Sequence, residues 1–473
     1  MHRYCRNKVP AIVLVIFLVI SVRGNAQIAN TISAADKVYG LSKFWQEVNY
    51  NFVYLDKIDR RAWDSTYKAL IPRVQETKND YEYYRLLEKF CALLNDGHTN
   101  IFRPQIKGLQ ILQNAFGDHL VVVKRVDGRP VIVRSWKKDQ SVLPVGSEIV
   151  EVNGITSEQY LRDSLLPYIS SSTEYVKWKG ATHWMLAGAP GTTFNIKIKK
   201  PGGQLAVVNL VHAKATDSVY YPEVGAYYDE QKRELLEFKM LENGVAYLGL
   251  NSFSNQKIDT LFDAVLPQLY KAKGLIVDLR FNGGGSTGIG TYILRHLIKD
   301  TVLAGARYAT RDHLPAFKAW GAYVTEKDTT GNTWNKKCLE VFKGVYMYNF
   351  PYEPESFVLN KPRIVVPTVI LTGNNTASAA EDFLIAADNQ QHMIRMGEPS
   401  FGSTGQPLVF DMPGGGSARV CTKKDTYPDG REFVGYGIQP HIPVTPTVND
   451  YLKGKDVALD AALKYLRENR TQK

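Results

Sequence analysis

Two short apolar runs, each closed by a turn and followed by a helical pattern, set most of what this chain can fold into. Residues 367–373 (Pro-Thr-Val-Ile-Leu-Thr-Gly) are β-branched and end in glycine, and residues 274–280 (Gly-Leu-Ile-Val-Asp-Leu-Arg) run into Asn282-Gly283-Gly284-Gly285-Ser286. Runs this short and apolar read as buried strands. Strands alternating with helices build α/β layers, expected here over 223–465. After the first run, Thr376-Ala377-Ser378-Ala379-Ala380-Glu381 puts Ser378 at the start of a helix over 379–389. Unpaired amides and the helix dipole favour negative charge at that end. Ser378 is then either a nucleophile, with the Ala379 amide facing an oxyanion, or part of a capping box closed by Glu381. Glycines let backbone amides approach a substrate, so Gly283, Gly284 and Gly285 are candidate oxyanion donors.

The same loop spells G-x-G-x-x-G through Gly283, Gly285 and Gly288. A dinucleotide site needs an apolar strand entering the turn and an acid closing the next strand. Here the strand ends in Asp278, Arg280 and Asn282, and residues 302–306 close without an acid.

Strand-Asp-Leu-Arg-x-Asn-x-Gly-Gly followed by strand-Gly-x-x-Thr-Ala-Ser-Ala-x-Glu resembles the carboxy-terminal processing (tail-specific) peptidases and their relative, the tricorn core protease. The resemblance implies a crotonase/ClpP-like layered catalytic core. It is firmest over 244–445 and covers nearly all of the chain after residue 26. Serine/lysine members of that family carry a lysine in a Phe-Gly-Lys-Gly turn, whereas this chain reads Phe401-Gly402-Ser403-Thr404-Gly405. The tricorn-like branch takes a histidine from an N-terminal turn, which Asp96-Gly97-His98-Thr99 matches. His98 is therefore the expected general base, Ser403 is expected to matter far less, and Glu432 is the expected acid that orients the imidazole.

Residues 1–26 resemble a secretory signal: Arg3, Arg6 and Lys8 precede an apolar stretch over 11–22 and a small-residue site at 24–26. An exported protein, periplasmic, at the cell envelope or secreted, follows, with no stable membrane insertion after cleavage. That segment holds four Lys/Arg and no Asp/Glu, so the formal charge falls from +11 to +7 on its removal. The basic residues are scattered and no nucleic-acid motif accompanies them, so nucleic acid is not an expected partner. Cys91, Cys338 and Cys421 read as small buried residues. The histidines lack paired ligand spacing, so no metal and no other cofactor is expected.

Helical periodicity between about residues 34 and 94 predicts an N-terminal helical domain over 27–105 that carries His98. Period-two runs over 108–213 predict a β domain, and Pro144-Val145-Gly146-Ser147-Glu148-Ile149-Val150-Glu151-Val152-Asn153-Gly154 resembles a segment of PDZ domains, which bind chain ends by strand addition. Residues 303–357 show little period and read as an insertion shaping a cleft. The expected activity is an exported serine endopeptidase acting on peptide or protein substrates. The alternatives are a catalytically silent peptide-binding scaffold of the same fold and a non-peptidase acyl hydrolase.

Overall fold

The computed structural model describes residues 28–221 and 233–469. Residues 1–26, expected to be a secretory signal, lie outside them. Among the described residues, no helix is long and apolar enough to cross a membrane.

The region after residue 233 is built on a six-stranded sheet with the order Leu236–Met240, Val245–Leu250, Gly274–Asp278, Thr368–Thr372, Met393–Gly397, Ile442–Pro443. The first pair is antiparallel and the others are parallel. Val245–Leu250, Gly274–Asp278 and Thr368–Thr372 are buried throughout, as parallel strands covered on both faces must be. Helix Val457–Glu468 covers one face through Ala458, Ala462 and Leu466. Helices Lys257–Leu269, Thr287–Leu297 and Ala379–Ala386 pack into the main core on the other. Gly274–Asp278 and Thr368–Thr372 are parallel neighbours. Their carboxyl ends therefore deliver the glycine loop and the Ser378 turn side by side, where open α/β sheets place their sites.

The Asp278-Leu279-Arg280 run is structural. Asp278 is fully buried and accepts two guanidinium bonds from Arg280, at 2.9 and 2.6 Å, and the Tyr247 hydroxyl at 2.9 Å. Arg280 also grips Asp456, which caps the last helix through the Leu459 amide. The cluster ties the exit of a central strand to the helix beneath it.

The N-terminal helices Ala34–Asn51, Arg60–Gln75 and Asp80–Ala92 are capped by Ser33, Asp59 and Asn79. They are not a freestanding unit. Their apolar faces share one core with the six-stranded sheet, and Asn100–Phe102 pairs antiparallel with Gly416–Cys421. The three cysteines of the described residues are free and buried.

Residues between Phe116 and Leu210 contribute a core cluster of their own, around Ile132, Ile149, Phe194, Ile196 and Leu210. The antiparallel ladders there include Arg129–Trp136, Glu148–Val152, Thr193–Lys199 and Leu205–Val211. Two helices, Ser157–Ser164 and Glu174–His183, interrupt the period-two pattern. The insertion is also more regular than its sequence suggests. It holds helices Pro315–Gly321 and Thr333–Lys343 and is tied to the N-terminal region where Arg311 donates to the carbonyls of Asn49 and Tyr50.

Candidate active site

Ser378 sits in a strand-to-helix turn that is pinned from several sides. The Thr376 hydroxyl accepts from the Gly373 amide and donates to the Leu279 carbonyl, and the Ala377 amide donates to the Asn282 carbonyl. Ser378 is left at φ +55°, ψ −122°. A helix cap normally takes an extended backbone, and a non-glycine residue at positive φ costs roughly 1–3 kcal/mol. Glu381 does reach back to the Ser378 amide at 3.1 Å, as a capping carboxylate would. Strain of this kind at a serine crossing from strand to helix is what exposes a nucleophilic hydroxyl in hydrolases built on α/β sheets.

The glycine loop presses on this turn. Gly284 has φ +96°, and a Cβ there would stand 2.7 Å from Ser378 Cβ and 2.8 Å from the Ala377 carbonyl oxygen. Gly285, at φ +134°, would strike the Phe253 backbone at 2.2 Å. No other residue fits at either position. The amides are not equivalent, however. The Gly284 amide donates to Asn282 Oδ1 at 2.9 Å, so it is not free to bind an oxyanion. Among the described residues the amides of Gly283, Gly285 and Ala379 have no acceptor.

Glu381 links the Ser378 turn to residues 400–403. Its fully buried carboxylate accepts from the Ser378 amide, the Ser400 hydroxyl (2.5 Å), the Gly402 amide (2.7 Å) and the Ser403 amide (3.2 Å). Burial pushes this carboxyl up to about 8, with those four donors pulling the other way. The same loop meets the histidine turn. Phe401 donates its amide to the Thr376 carbonyl, and its ring lies 2.5 Å from where a Cβ on Gly97 would stand. The turn that carries Ser378, through the Thr376 carbonyl and Glu381, and the turn that carries His98 thus meet the same short loop.

His98 is buried, and its Nδ1 lies 2.7 Å from the Ser403 hydroxyl. Behind Ser403 stands Asp96, with Oδ1 at 3.5 Å from that hydroxyl. Asp96 also accepts from the hydroxyls of Thr99 (2.6 Å) and Ser172 (3.2 Å), and Ser172 takes the Gly97 amide at 2.9 Å. Ser172 precedes helix Glu174–His183 of the β domain, so that domain buttresses the histidine turn. Burial, joined by the charges of Arg419 and Lys423, lowers the His98 pKa to about 4. The imidazole is therefore neutral at physiological pH.

Glu432 does not take the place expected of it. Its carboxylate is half-exposed and is held by Lys424 at 2.5 Å and Lys57 at 3.6 Å, and the Lys424 hydrogen bond keeps it below the usual carboxylate range. The polar partner of His98 is Ser403, which occupies the position of the family's lysine. Asp96 and Ser403 were thus the members of this site without an expected role. The signals were an acid two residues before the histidine and a serine in the Phe-Gly-x turn. Lys423 offers no alternative base. Burial acts to lower its pKa, but the Asp425 carboxylate 2.9 Å away outweighs that and keeps the ammonium charged. The described residues contain no group of three or more metal-ligating side chains. The outcome for Glu432 is testable: Glu432→Gln should leave kcat/KM unchanged and alter stability by no more than about 1 kcal/mol, the value of an exposed ion pair.

A layered α/β fold with a strained serine against a glycine loop is the architecture of a serine hydrolase, and comparison with known proteins narrows the class. Residues 244–444 match the model of peptidase family S41. A carboxyl-terminal-processing protease of Picosynechococcus sp. is 23% identical over 435 residues, covering 91% of this chain and 89% of that protein. Its counterpart from Synechocystis sp. is 21% identical over 447 residues, covering 90% and 86%. The crystal structure of mature CPAF superposes with a TM-score of 0.65 at 16% identity, over 92% of this chain and 98% of that one. Residues 244–444 are thus a peptidase family S41 region, and the chain is similar over most of its length to carboxyl-terminal-processing proteases.

Proposed function

We propose that this protein is an exported serine endopeptidase in which Ser378 attacks the peptide carbonyl and His98 is the general base. The reading is supported by a positive-φ Ser378 whose turn bonds to Phe401 through Thr376, and a neutral, buried His98 that bonds to Ser403 in the same loop. If Nδ1–H donates to the Ser403 hydroxyl, and that hydroxyl in turn faces Asp96, the lone pair remains on Nε2. That is the tautomer needed to take a proton from the Ser378 hydroxyl. The attack forms a bond from Ser378 Oγ to the carbonyl carbon, and the oxyanion is met by the free amides of Ala379 and of Gly283 or Gly285. The imidazolium then gives its proton to the leaving amine. Water repeats the sequence on the acyl-enzyme with His98 again as base.

Ser403 and Asp96 take the positioning role expected of Glu432, reversing the expectation that Ser403 matters little. Ser403→Ala should lower kcat by on the order of tenfold or more with little change in KM, because an imidazole in the wrong tautomer costs up to ~10⁴ in related triads. Ser403→Thr, which keeps a hydroxyl, should recover part of the loss. Steady-state kinetics on one peptide substrate checks both. Equal activity in all three proteins would remove Ser403 from the mechanism.

The β domain is proposed to act as a PDZ-like module that holds extended substrate chains, and residues 1–26 as the cleaved export signal. Peptide-bond cleavage is tested by offering the purified protein matched peptide and ester substrates. Hydrolysis of the ester alone would favour a non-peptidase hydrolase.

A further inference from the structure

The glycine loop, the Ser378 turn and the end of strand Val245–Leu250 converge on one residue, Asn282, which is fully buried. Its side-chain Oδ1 accepts from the Gly284 amide at 2.9 Å, and Nδ2 donates to the Leu250 carbonyl at 2.9 Å. On the main chain, its amide donates to the Leu279 carbonyl and its carbonyl accepts from the Ala377 amide, both at 3.0 Å.

The Oδ1 bond is an Asx turn, which asparagine and aspartate both form. The Nδ2 bond is not local. Leu250 lies 32 residues away, and its carbonyl takes a donor that an amide supplies and a carboxylate does not. Burial alone does not call for a polar side chain, since positions this deep are ordinarily apolar. Asparagine therefore holds the loop on one side and the neighbouring strand end on the other, which neither aspartate nor an apolar residue of the same size does.

The loop held in this way touches the nucleophile turn. A Cβ on Gly284 would stand 2.7 Å from Ser378 Cβ and 3.1 Å from the Ala379 amide nitrogen. Gly284 gives its own amide to Asn282, whereas the amides of Gly283, Gly285 and Ala379 have no acceptor among the described residues. Peptide units are planar and turn only about φ and ψ, so one captured amide between two free ones limits where the free ones point. Donors stabilise a developing oxyanion at no cost of reorganisation only when they are held in place beforehand.

We propose that Asn282 is a positioning residue of the oxyanion hole: by holding the Gly284 amide and tying the loop to Leu250, its side chain keeps the free glycine-loop amides aligned with that of Ala379. The assignment rests on the acyl-transfer reading above and adds to it the residue that preorganises the donors. Asn282 acts through the backbone of the loop and not on the substrate itself.

The test compares the full native chain with Asn282→Ala and Asn282→Ser, using one cleaved peptide, the aldehyde of that peptide's acyl part and the matching alcohol. Ser378 Oγ adds to the aldehyde carbon, its proton passing to His98 and the carbonyl pair to the oxygen, so the aldehyde mimics the transition state and the alcohol does not. Asn282→Ala should lower kcat about 10²-fold, the loss expected for one oxyanion donor, with KM within about threefold of native. Its Ki for the aldehyde should rise at least about tenfold while its Ki for the alcohol holds. Both inhibition constants are independent of how much of a preparation is folded. Asn282→Ser keeps a hydroxyl that forms the same turn more weakly. It should fall between the native and alanine proteins, and it carries the same reading where the alanine variant does not fold. Unchanged kcat in the variants, or a loss in which KM and the alcohol Ki move by the same factor, overturns the role of Asn282. A native chain that binds the aldehyde no better than the alcohol and takes no fluorophosphonate on Ser378 overturns the acyl-transfer reading itself, and the proposal with it.

Discussion

Ser378→Ala is expected to abolish peptide hydrolysis while leaving the fold intact. Loss of the nucleophile in a serine peptidase costs on the order of 10⁶ in kcat, whereas the turn is held mainly by bonds from the Thr376 hydroxyl, the Ala377 amide and the Glu381 carboxylate, which the variant keeps. The backbone strain gives a second, independent readout. Ser378→Gly should be equally inactive but more stable than Ser378→Ala by about 1 kcal/mol, since glycine adopts positive φ without the Cβ penalty. Thermal unfolding of the two variants checks this. If the alanine variant is as stable as the glycine variant, the turn is unstrained and the hydrolase elbow is the wrong description.

His98→Asn should lower kcat by a comparable factor, because residues that act as one catalytic unit fail together. The pH profile of the native enzyme adds a quantitative signature. With the imidazole pKa lowered to about 4 by burial, Arg419 and Lys423, the acid limb of kcat/KM should fall near pH 4 and not at 6–7. The effect on stability has the same sign. The unfolded chain takes up the histidine proton near 6.5 and the folded one near 4, so the stability contributed by neutral His98 is complete above about pH 6.5 and is lost as pH falls toward 4. A kinetic limb at 6.5 would mean that His98 is solvated in the working enzyme.

The parts of this molecule written in local sequence were legible in advance. Residues 274–280 and 367–373 are buried strands because their side chains are apolar and β-branched, and the turns after them follow from glycine and small residues at fixed offsets. The three N-terminal helices follow from apolar spacing with Ser33, Asp59 and Asn79 as caps. Their merger with the catalytic core was not legible, because it depends on Asn100–Phe102 pairing with a strand more than three hundred residues away. Helix Glu174–His183 has no amphipathic stripe, and tertiary packing decides its state. The same limit governs the site. Ser378 and the glycine loop announce themselves by conformation, which local sequence encodes. The partner of His98 is chosen by which loop packs on Gly97, and nothing near residue 98 specifies Ser403. Glu432 was expected from the family resemblance alone, and the structure leaves it half in solvent beside two lysines.

The most direct test of the central claim, a Ser378 nucleophile activated by His98, is to react the protein with a fluorophosphonate and map the adduct by peptide mass spectrometry. The account predicts a single adduct, on Ser378, formed at a rate that collapses in His98→Asn and drops in Ser403→Ala. An adduct on another serine, or undiminished labelling of Ser378 without His98, would contradict it.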